Sequence, residues 1–219
     1  MRIILMWTYF FKELKIMEET MSFEQAKIDN VAPSFSTSFY DPKTDTDGTI
    51  SSEDMKGKWY VLVFYPADFT FVCPTEMKDL SDQKARFEEM WVEVLSVSTD
   101  SIFSHKAWLK AERLMEGFDY KMLADCNLEM SDIYNVLDEK AGMAGRGTFI
   151  VDPDGILRGI EVTSGAQGRN SEELLRKIQG LQFMRENPTQ ACPARWATGA
   201  KTLTPSIKIT GEVFEALND

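Results

Sequence analysis

The chain has 219 residues, a formal net charge of −11 and a sequence pI near 4.7. Its hydrophobic content of 43% suits a globular protein with one sizeable core. The acidic balance argues against nucleic-acid binding, which needs a basic surface. Three widely spaced cysteines exclude a secreted disulfide framework, and a single histidine disfavours a zinc site. We therefore expect a soluble, cytoplasmic protein.

The first twenty residues differ from the rest of the chain. An apolar run from Ile3 to Phe11 follows Arg2 and is too short to span a bilayer. It resembles the apolar part of a signal peptide, but charged residues follow it instead of a small-residue cleavage site. We expect residues 1–20 to be a leader outside the domain. Either Met21 is the natural start, or the leader is an appended helix that lies on a partner surface.

A near-continuous apolar run at 59–65 predicts a buried strand, after a polar, turn-like stretch at 41–47 and a connection at 49–58. A helix start follows it. Pro74 suits the first helical turn, where its missing N–H costs nothing, and Glu76 meets the positive end of the helix.

Cys73 is therefore placed at a helix N-terminus beside the carboxyl end of a strand. Unpaired backbone N–H groups at this position favour the thiolate and hence a reactive cysteine. The alternative is an inert cysteine that packs as a small apolar side chain, which is the commoner role of a buried thiol.

Strands and helices alternate through the remainder of the core, which predicts an α/β protein with helices packed on a central sheet. The periodicity predicts strands at 92–97, 120–123, 148–151 and 156–162, and helices at 73–90, 102–115, 128–136 and 171–184. Asn170 or Ser171 caps the last of these helices, and residues 152–155 form the turn of the final hairpin.

The last part of the chain, residues 188–219, has little periodicity and is predicted to be an extended arm. It contains Cys192. A thiol in an arm is accessible for disulfide exchange, which a thiol in a core is not.

Pro66, Thr70 and Cys73 form the pattern Pro-x-x-x-Thr-x-x-Cys. This pattern, together with the whole stretch 64–76, resembles the peroxiredoxins, and among them the typical two-cysteine class of the bacterial alkyl hydroperoxide reductase C type. The resemblance implies a thioredoxin-like fold in its peroxiredoxin form, with a central mixed sheet flanked by helices. It implies a domain at 21–187 and a C-terminal arm at 188–219.

The resemblance also implies a thiol-dependent peroxidase that reduces hydrogen peroxide and organic hydroperoxides in antioxidant defence. Cys73 would be the thiolate that attacks the peroxide, Thr70 would hydrogen-bond the peroxide, and Pro66 would shield the pocket from water. Arg146, at the start of the strand before the hairpin, matches the family arginine that holds the thiolate and a peroxide oxygen. Spacing alone would make Arg146 a solvated loop residue.

Glu76 and Arg169 match a family pair that positions the active-site arginine. Without the resemblance, Glu76 would be a helix-start charge and Arg169 one half of a surface pair contributing about 0–1 kcal/mol.

Cys192, within the segment Ala191-Cys192-Pro193-Ala194-Arg195-Trp196, resembles the resolving cysteine of the class. The resemblance implies a disulfide between Cys73 of one protomer and Cys192 of its partner, and hence a homodimer. Whether five dimers form a ring stays open, as does the reductant: a flavoprotein disulfide reductase or a thioredoxin-like protein. No cofactor or metal, no membrane and no nucleic acid are expected.

For three further residues we expect structural, interface or packing roles. Cys126 is expected to be a semi-exposed structural thiol, His105 to have a structural or interface role, and Trp196 to pack near the site or on the arm. Two other functions remain as alternatives to peroxide turnover: an oligomeric holdase chaperone, and a redox relay that passes oxidation to a partner protein.

Overall fold

The computed structural model describes residues 25–218. The expectations for residues 1–20 and for Met21 lie outside the described residues.

Within 25–218 the strands form one seven-stranded mixed sheet and a separate two-stranded ribbon. The strands are β1 Ser36–Asp41, β2 Thr46–Ser51, β3 Trp59–Phe64, β4 Val92–Ser98, β5 Lys121–Ala124, β6 Leu137–Asp138, β7 Met143–Ala144, β8 Arg146–Val151 and β9 Leu157–Thr163. The order in the large sheet is β2-β1-β5-β4-β3-β8-β9, and β6 pairs with β7. Strands β3, β4 and β5 are parallel, whereas β1, β8 and β9 run antiparallel to their neighbours.

Helices pack on both faces of this sheet, and a further short helix in the arm has no buried residue. The helices are α1 Cys73–Asp82, α2 Lys84–Glu89, α3 Ile102–Ala111, α4 Glu129–Ile133, α5 Ser171–Glu186 and α6 Val213–Asn218. No described helix is long and apolar enough to cross a membrane.

Strand β3 is buried along its whole length, because it is central and both of its faces are covered. Val61 and Val63 face one core, which also contains Met77 of α1 and Ile178 of α5. Leu62 and its alternate neighbours face a second core on the opposite side of the sheet. The alternation along one strand therefore builds two cores.

The predicted strands and helices are present, with differences in their bounds. The helix predicted at 128–136 is only the five-residue α4. The predicted helix at 73–90 is two helices, because the backbone turns at Gln83 (φ −96°, ψ 6°). The predicted helix at 102–115 ends at Ala111, and a 3₁₀ turn follows at Arg113–Met115. The hairpin of β1 and β2 was not predicted, since its strands are polar and only partly buried.

The arm begins after α5 and is largely irregular. Trp196 is 4% exposed, packs on Phe183 of α5 with ring centroids 4.9 Å apart, and donates its indole N–H to the carbonyl of Ala200. A backbone bridge joins Ala191 to Leu203. These contacts attach the arm to α5 just after Cys192.

Candidate active site

Cys73 is the first residue of α1 and is fully buried. The strand β3 ends at Phe64, and the loop 65–72 connects its carboxyl end to the start of α1. The Sγ atom of Cys73 lies 3.4 Å from Nη1 of Arg146, which donates a hydrogen bond to it. The thiol therefore faces a guanidinium, which stabilises negative charge on sulfur.

Arg146 opens β8, the strand that pairs with β3, and is 3% exposed. Its Nε donates to the carbonyl of Gly165 at 2.8 Å, and its Nη1 donates to Oε2 of Glu76 at 2.5 Å. The arginine is thus fixed at both ends of its guanidinium and has a defined position beside Cys73.

Glu76 lies one turn after Cys73 on α1 and binds two arginines. Its Oε1 accepts hydrogen bonds from the backbone N–H and the Nε of Arg169, at 2.9 and 2.8 Å. Arg169 also donates to the carbonyl of Gly147 and the hydroxyl of Thr148. The carboxylate and both guanidinium groups are buried, so removal of the carboxylate would leave two uncompensated charges.

Pro66 and Thr70 lie in the loop that leads to Cys73, and both are half-buried. The Thr70 hydroxyl donates to the carbonyl of Ala67 at 2.8 Å, which leaves its oxygen free to accept a hydrogen bond. Phe69, immediately before it, has φ +54°, a conformation that is uncommon for a bulky residue. The loop is therefore held in a specific, locally strained shape.

A buried polar network behind this loop was not predicted from the sequence. Nδ1 of His105, which is fully buried on α3, lies 2.9 Å from Oδ2 of Asp68. The Tyr65 hydroxyl donates to Asp68 Oδ1 at 2.8 Å, and the Asp68 N–H donates to Asp100 at 2.8 Å. Burial, followed by the Asp68 charge, raises the pKa of Tyr65 well above its usual value. His105 has a structural role of the kind expected, since it ties the loop to α3.

The network has no sequence signal, because Asp68 and His105 are 37 positions apart in segments with no shared pattern. The network attaches the loop to α3, in addition to the chain connection between the loop and α1. Removing one partner of a buried hydrogen bond and leaving the other unsatisfied typically costs about 1–3 kcal/mol.

The three cysteines are free thiols. Cys192 is half-buried on the arm, with Sγ 3.9 Å from the carbonyl of Gly180 on α5, and it is not joined to Cys73 of the same chain. Burial raises the pKa of the Cys192 thiol, and the charge of Arg176 opposes this. Cys126 is exposed, and burial of its sulfur together with the Asp125 charge raises its pKa.

The structure brings Cys73, Glu76, Arg146 and Arg169 into one connected site and places Pro66 and Thr70 in the adjoining loop. Cys192 lies on the arm instead. Among residues 25–218, no group of three or more His, Cys, Asp or Glu side chains is placed to hold a metal ion.

Comparison with known proteins gives a consistent result. The model of the AhpC/TSA family matches residues 28–160. The chain is 46% identical over 164 residues to alkyl hydroperoxide reductase C of Bacillus subtilis, covering 75% of this chain and 88% of that protein. It is 42% identical over 179 residues to alkyl hydroperoxide reductase C of Staphylococcus epidermidis, covering 82% and 95% of the two proteins.

Solved structures show the same similarity. The reduced 2-Cys peroxiredoxin of Plasmodium vivax has a TM-score of 0.81 and 30% identity, and the match covers 85% of this chain and 98% of that chain. AhpC of Enterococcus faecalis has a TM-score of 0.73 and 41% identity, covering 77% of this chain and all of that one. The predicted thioredoxin-like fold in its peroxiredoxin form is confirmed.

Proposed function

The chain belongs to the AhpC/TSA family and is a thiol-dependent peroxidase, and on that premise we propose that its reactive thiol is Cys73. The observation that supports this residue most strongly is the 3.4 Å contact between its buried sulfur and a guanidinium fixed by Glu76. Of the three thiols, only Cys73 has an arginine as a hydrogen-bond partner within residues 25–218.

The first step is a displacement on oxygen. The Cys73 thiolate attacks one peroxide oxygen; the S–O bond forms, the O–O bond breaks, and the leaving hydroxide or alkoxide takes a proton, which gives a sulfenic acid and water or an alcohol. Arg146 stabilises charge on sulfur and on the leaving oxygen, while Thr70 accepts a hydrogen bond that orients the peroxide. Pro66 limits the access of water to the pocket.

The second step needs another copy of the chain. We assign Cys192 of the partner subunit as the thiol that condenses with the Cys73 sulfenic acid, releasing water and forming an intersubunit disulfide. Disulfide geometry requires Cα atoms within about 7 Å, so buried Cys73 must leave the start of α1. An external dithiol reductant, either a flavoprotein disulfide reductase or a thioredoxin-like protein, then regenerates both thiols. Such reduction fits a cytoplasmic location.

The outer edge of the sheet is a suitable dimer surface. In residues 25–218, β9 pairs with β8 on one side, and on the other side only its first residue, Leu157, is hydrogen-bonded, to the backbone of Asp29 and Asn30. Ile160 and Val162 on β9 are 39% and 56% exposed. An unprotected edge strand with apolar side chains favours pairing with a second copy. A ring of five such dimers would use another surface, for which Phe71 and Phe103, 91% and 78% exposed, are candidates.

The test is stopped-flow oxidation of pre-reduced protein by hydrogen peroxide, followed by non-reducing gels. We expect the wild type and Cys126→Ser to react rapidly and form a covalent dimer. Cys73→Ser should not react, and Cys192→Ser should stop at a sulfenic acid that dimedone labels.

Two outcomes would contradict the assignment. Rapid oxidation of Cys73→Ser would show that another thiol attacks the peroxide. Protection of a thermally unfolded client protein that persists undiminished in Cys73→Ser, with negligible peroxide turnover in the wild type, would favour the holdase function instead.

A further inference from the structure

We propose that Arg176 is a positioning residue for Cys192: its charge favours the thiolate of the second cysteine during disulfide formation. The proposal rests on the proposed function, since it assigns a role within the condensation step. Arg176 lies outside the site around Cys73, on α5, and the carbonyl of Gly180 on the same helix contacts the Cys192 sulfur.

Arg176 and Gly180, the residue that contacts Cys192, share one face of α5. Gly180, whose carbonyl lies 3.9 Å from Cys192 Sγ, follows Arg176 by four positions, which is one helical turn. Arg176 and Cys192 also line the same cavity of about 340 Å³, between β9, α5 and the arm. The thiol therefore lies one turn along the helix from the residue that carries the guanidinium.

Arg176 also holds the arm. Its Nη1 donates to the carbonyl of Trp196 at 3.2 Å, four residues beyond Cys192. A bidentate pair with Glu173, at 2.7 and 2.8 Å, orients the guanidinium from the preceding turn of the helix. The arm segment, the guanidinium and the thiol thus form one unit, which stays together when the start of α1 unwinds to bring Cys73 of the partner subunit to it.

Charges around Cys192 come from each element that packs on it. Besides Arg176, the charged side chains of the cavity are Arg158 and Glu161 from β9, Lys177 from α5 and Arg195 from the arm. Lys177 pairs with Glu161, and Arg158 pairs with Asp152 and Asp29. Arg176 is the group whose charge lowers the pKa of Cys192, against the burial that raises it.

The effect of the Arg176 charge on the rate follows from the chemistry of disulfide formation. The Cys192 thiolate attacks the sulfur of the sulfenic acid; the S–S bond forms, the S–O bond breaks, and the leaving hydroxide takes a proton to become water. Only the thiolate is nucleophilic, so the rate below the pKa of Cys192 depends on the thiolate fraction. The same charge stabilises Cys192 as the leaving group when a reductant opens the disulfide.

The first experiment measures the thiol directly. In a Cys73→Ser, Cys126→Ser background, the rate of Cys192 alkylation by iodoacetamide is followed against pH, with and without Arg176→Gln. We expect the midpoint to rise by about 0.3–0.7 pH units, which corresponds to about a two- to fivefold loss of thiolate below the midpoint. Lys177→Gln, which removes a neighbouring cation of the same cavity, is the matched control and should leave the midpoint in place.

The second experiment follows catalysis in the full protein with otherwise native cysteines. Arg176→Gln should leave the first, peroxide-dependent phase unchanged and slow the second, disulfide-forming phase by about two- to fivefold near neutral pH. The loss should vanish above the midpoint, where the thiolate forms without help. Arg176→Lys, which keeps the charge, should restore most of the rate.

Three results would overturn the proposal. One is an alkylation profile that does not move in Arg176→Gln; another is an Arg176→Lys variant as slow as Arg176→Gln. The third is a loss of equal size at every pH, which would indicate only a loosened arm. Absence of the first phase in the wild type would instead refute the proposed function, so the two failures are distinguishable.

Discussion

At the scale of single residues, the geometry of the site depends on ion pairs between buried side chains. Arg146 contacts Cys73 directly, but its position is set by Glu76 and by the carbonyl of Gly165. Glu76 in turn is held by Arg169. A carboxylate between two guanidinium groups leaves a net positive charge, which suits a centre that must bind a thiolate.

Replacing Glu76 by Gln tests this arrangement. The amide cannot neutralise two buried guanidinium groups, so we expect Arg146 to shift and the oxidation rate of Cys73 to fall by about 10- to 100-fold. The free energy of unfolding should fall by about 3 kcal/mol, since breaking a buried pair leaves charges uncompensated. Stopped-flow oxidation and urea denaturation measure the two effects.

The matched control is Glu172→Gln, an exposed glutamate in the first turn of α5. It should keep the wild-type oxidation rate and lose no more than about 1 kcal/mol of stability. A folded Glu76→Gln protein that reacts as fast as the wild type would show that Arg146 is held without the carboxylate.

Residue spacing predicts only part of this site. Cys73 and Glu76 are three positions apart on a helix whose start the sequence predicts, so their proximity follows from the sequence. Arg146 and Arg169 reach the site from 73 and 93 positions away, and only the family resemblance indicated them. The pair of Asp68 and His105 has neither kind of signal, since it depends on how α3 packs against the loop.

At the scale of elements, strong periodicity predicted α5 and five strands of the large sheet, which are β3, β4, β5, β8 and β9, while local backbone geometry decided the rest. The break between α1 and α2 lies at Gln83, and no proline or glycine in the sequence indicates it. There the N–H of Gln83 bonds the carbonyl of Leu80, and the chain turns so that Phe87 is fully buried in the core. The requirement to bury Phe87 therefore overrides the helical propensity of the segment.

In the proposed mechanism, the start of α1 is the element that changes shape. Because Cys73 is fully buried and the proposed disulfide joins it to a thiol of another subunit, we expect the first two turns of α1 to unwind in the disulfide form. Hydrogen exchange measured by mass spectrometry should show amides of residues 76–80 exchanging at least about tenfold faster after oxidation. Amides of α5 should keep their protection.

The oxidised Cys192→Ser variant shows whether the sulfenic acid or the disulfide causes the unwinding of α1. It forms the sulfenic acid but no disulfide, so α1 should stay protected in it. Equal protection of α1 in the reduced and disulfide forms of the wild type would rule out local unwinding as the route to the bond.

At the scale of the whole molecule, the two cysteines of the proposed reaction lie apart within one chain as folded. Cys73 is the first residue of α1, while Cys192 belongs to the arm and its sulfur contacts the carbonyl of Gly180 on α5. The proposed disulfide therefore needs a second copy, and the open edge at β9 borders the cavity that contains Cys192. We propose that assembly and chemistry are linked through this part of the surface.

Replacing Val162 by Lys tests that link. Val162 is 56% exposed on β9, and a charge repeated on both copies across a paired edge opposes association. We expect sedimentation velocity to show monomer at concentrations where the wild type is a dimer. The first oxidation phase should persist, because the site of Cys73 and Arg146 is complete in one chain, while the disulfide-linked dimer on gels should largely disappear. Leu114→Lys, at a 39% exposed leucine in the 3₁₀ turn Arg113–Met115, should remain dimeric. A dimeric Val162→Lys protein with normal disulfide formation would place the interface elsewhere on the molecule.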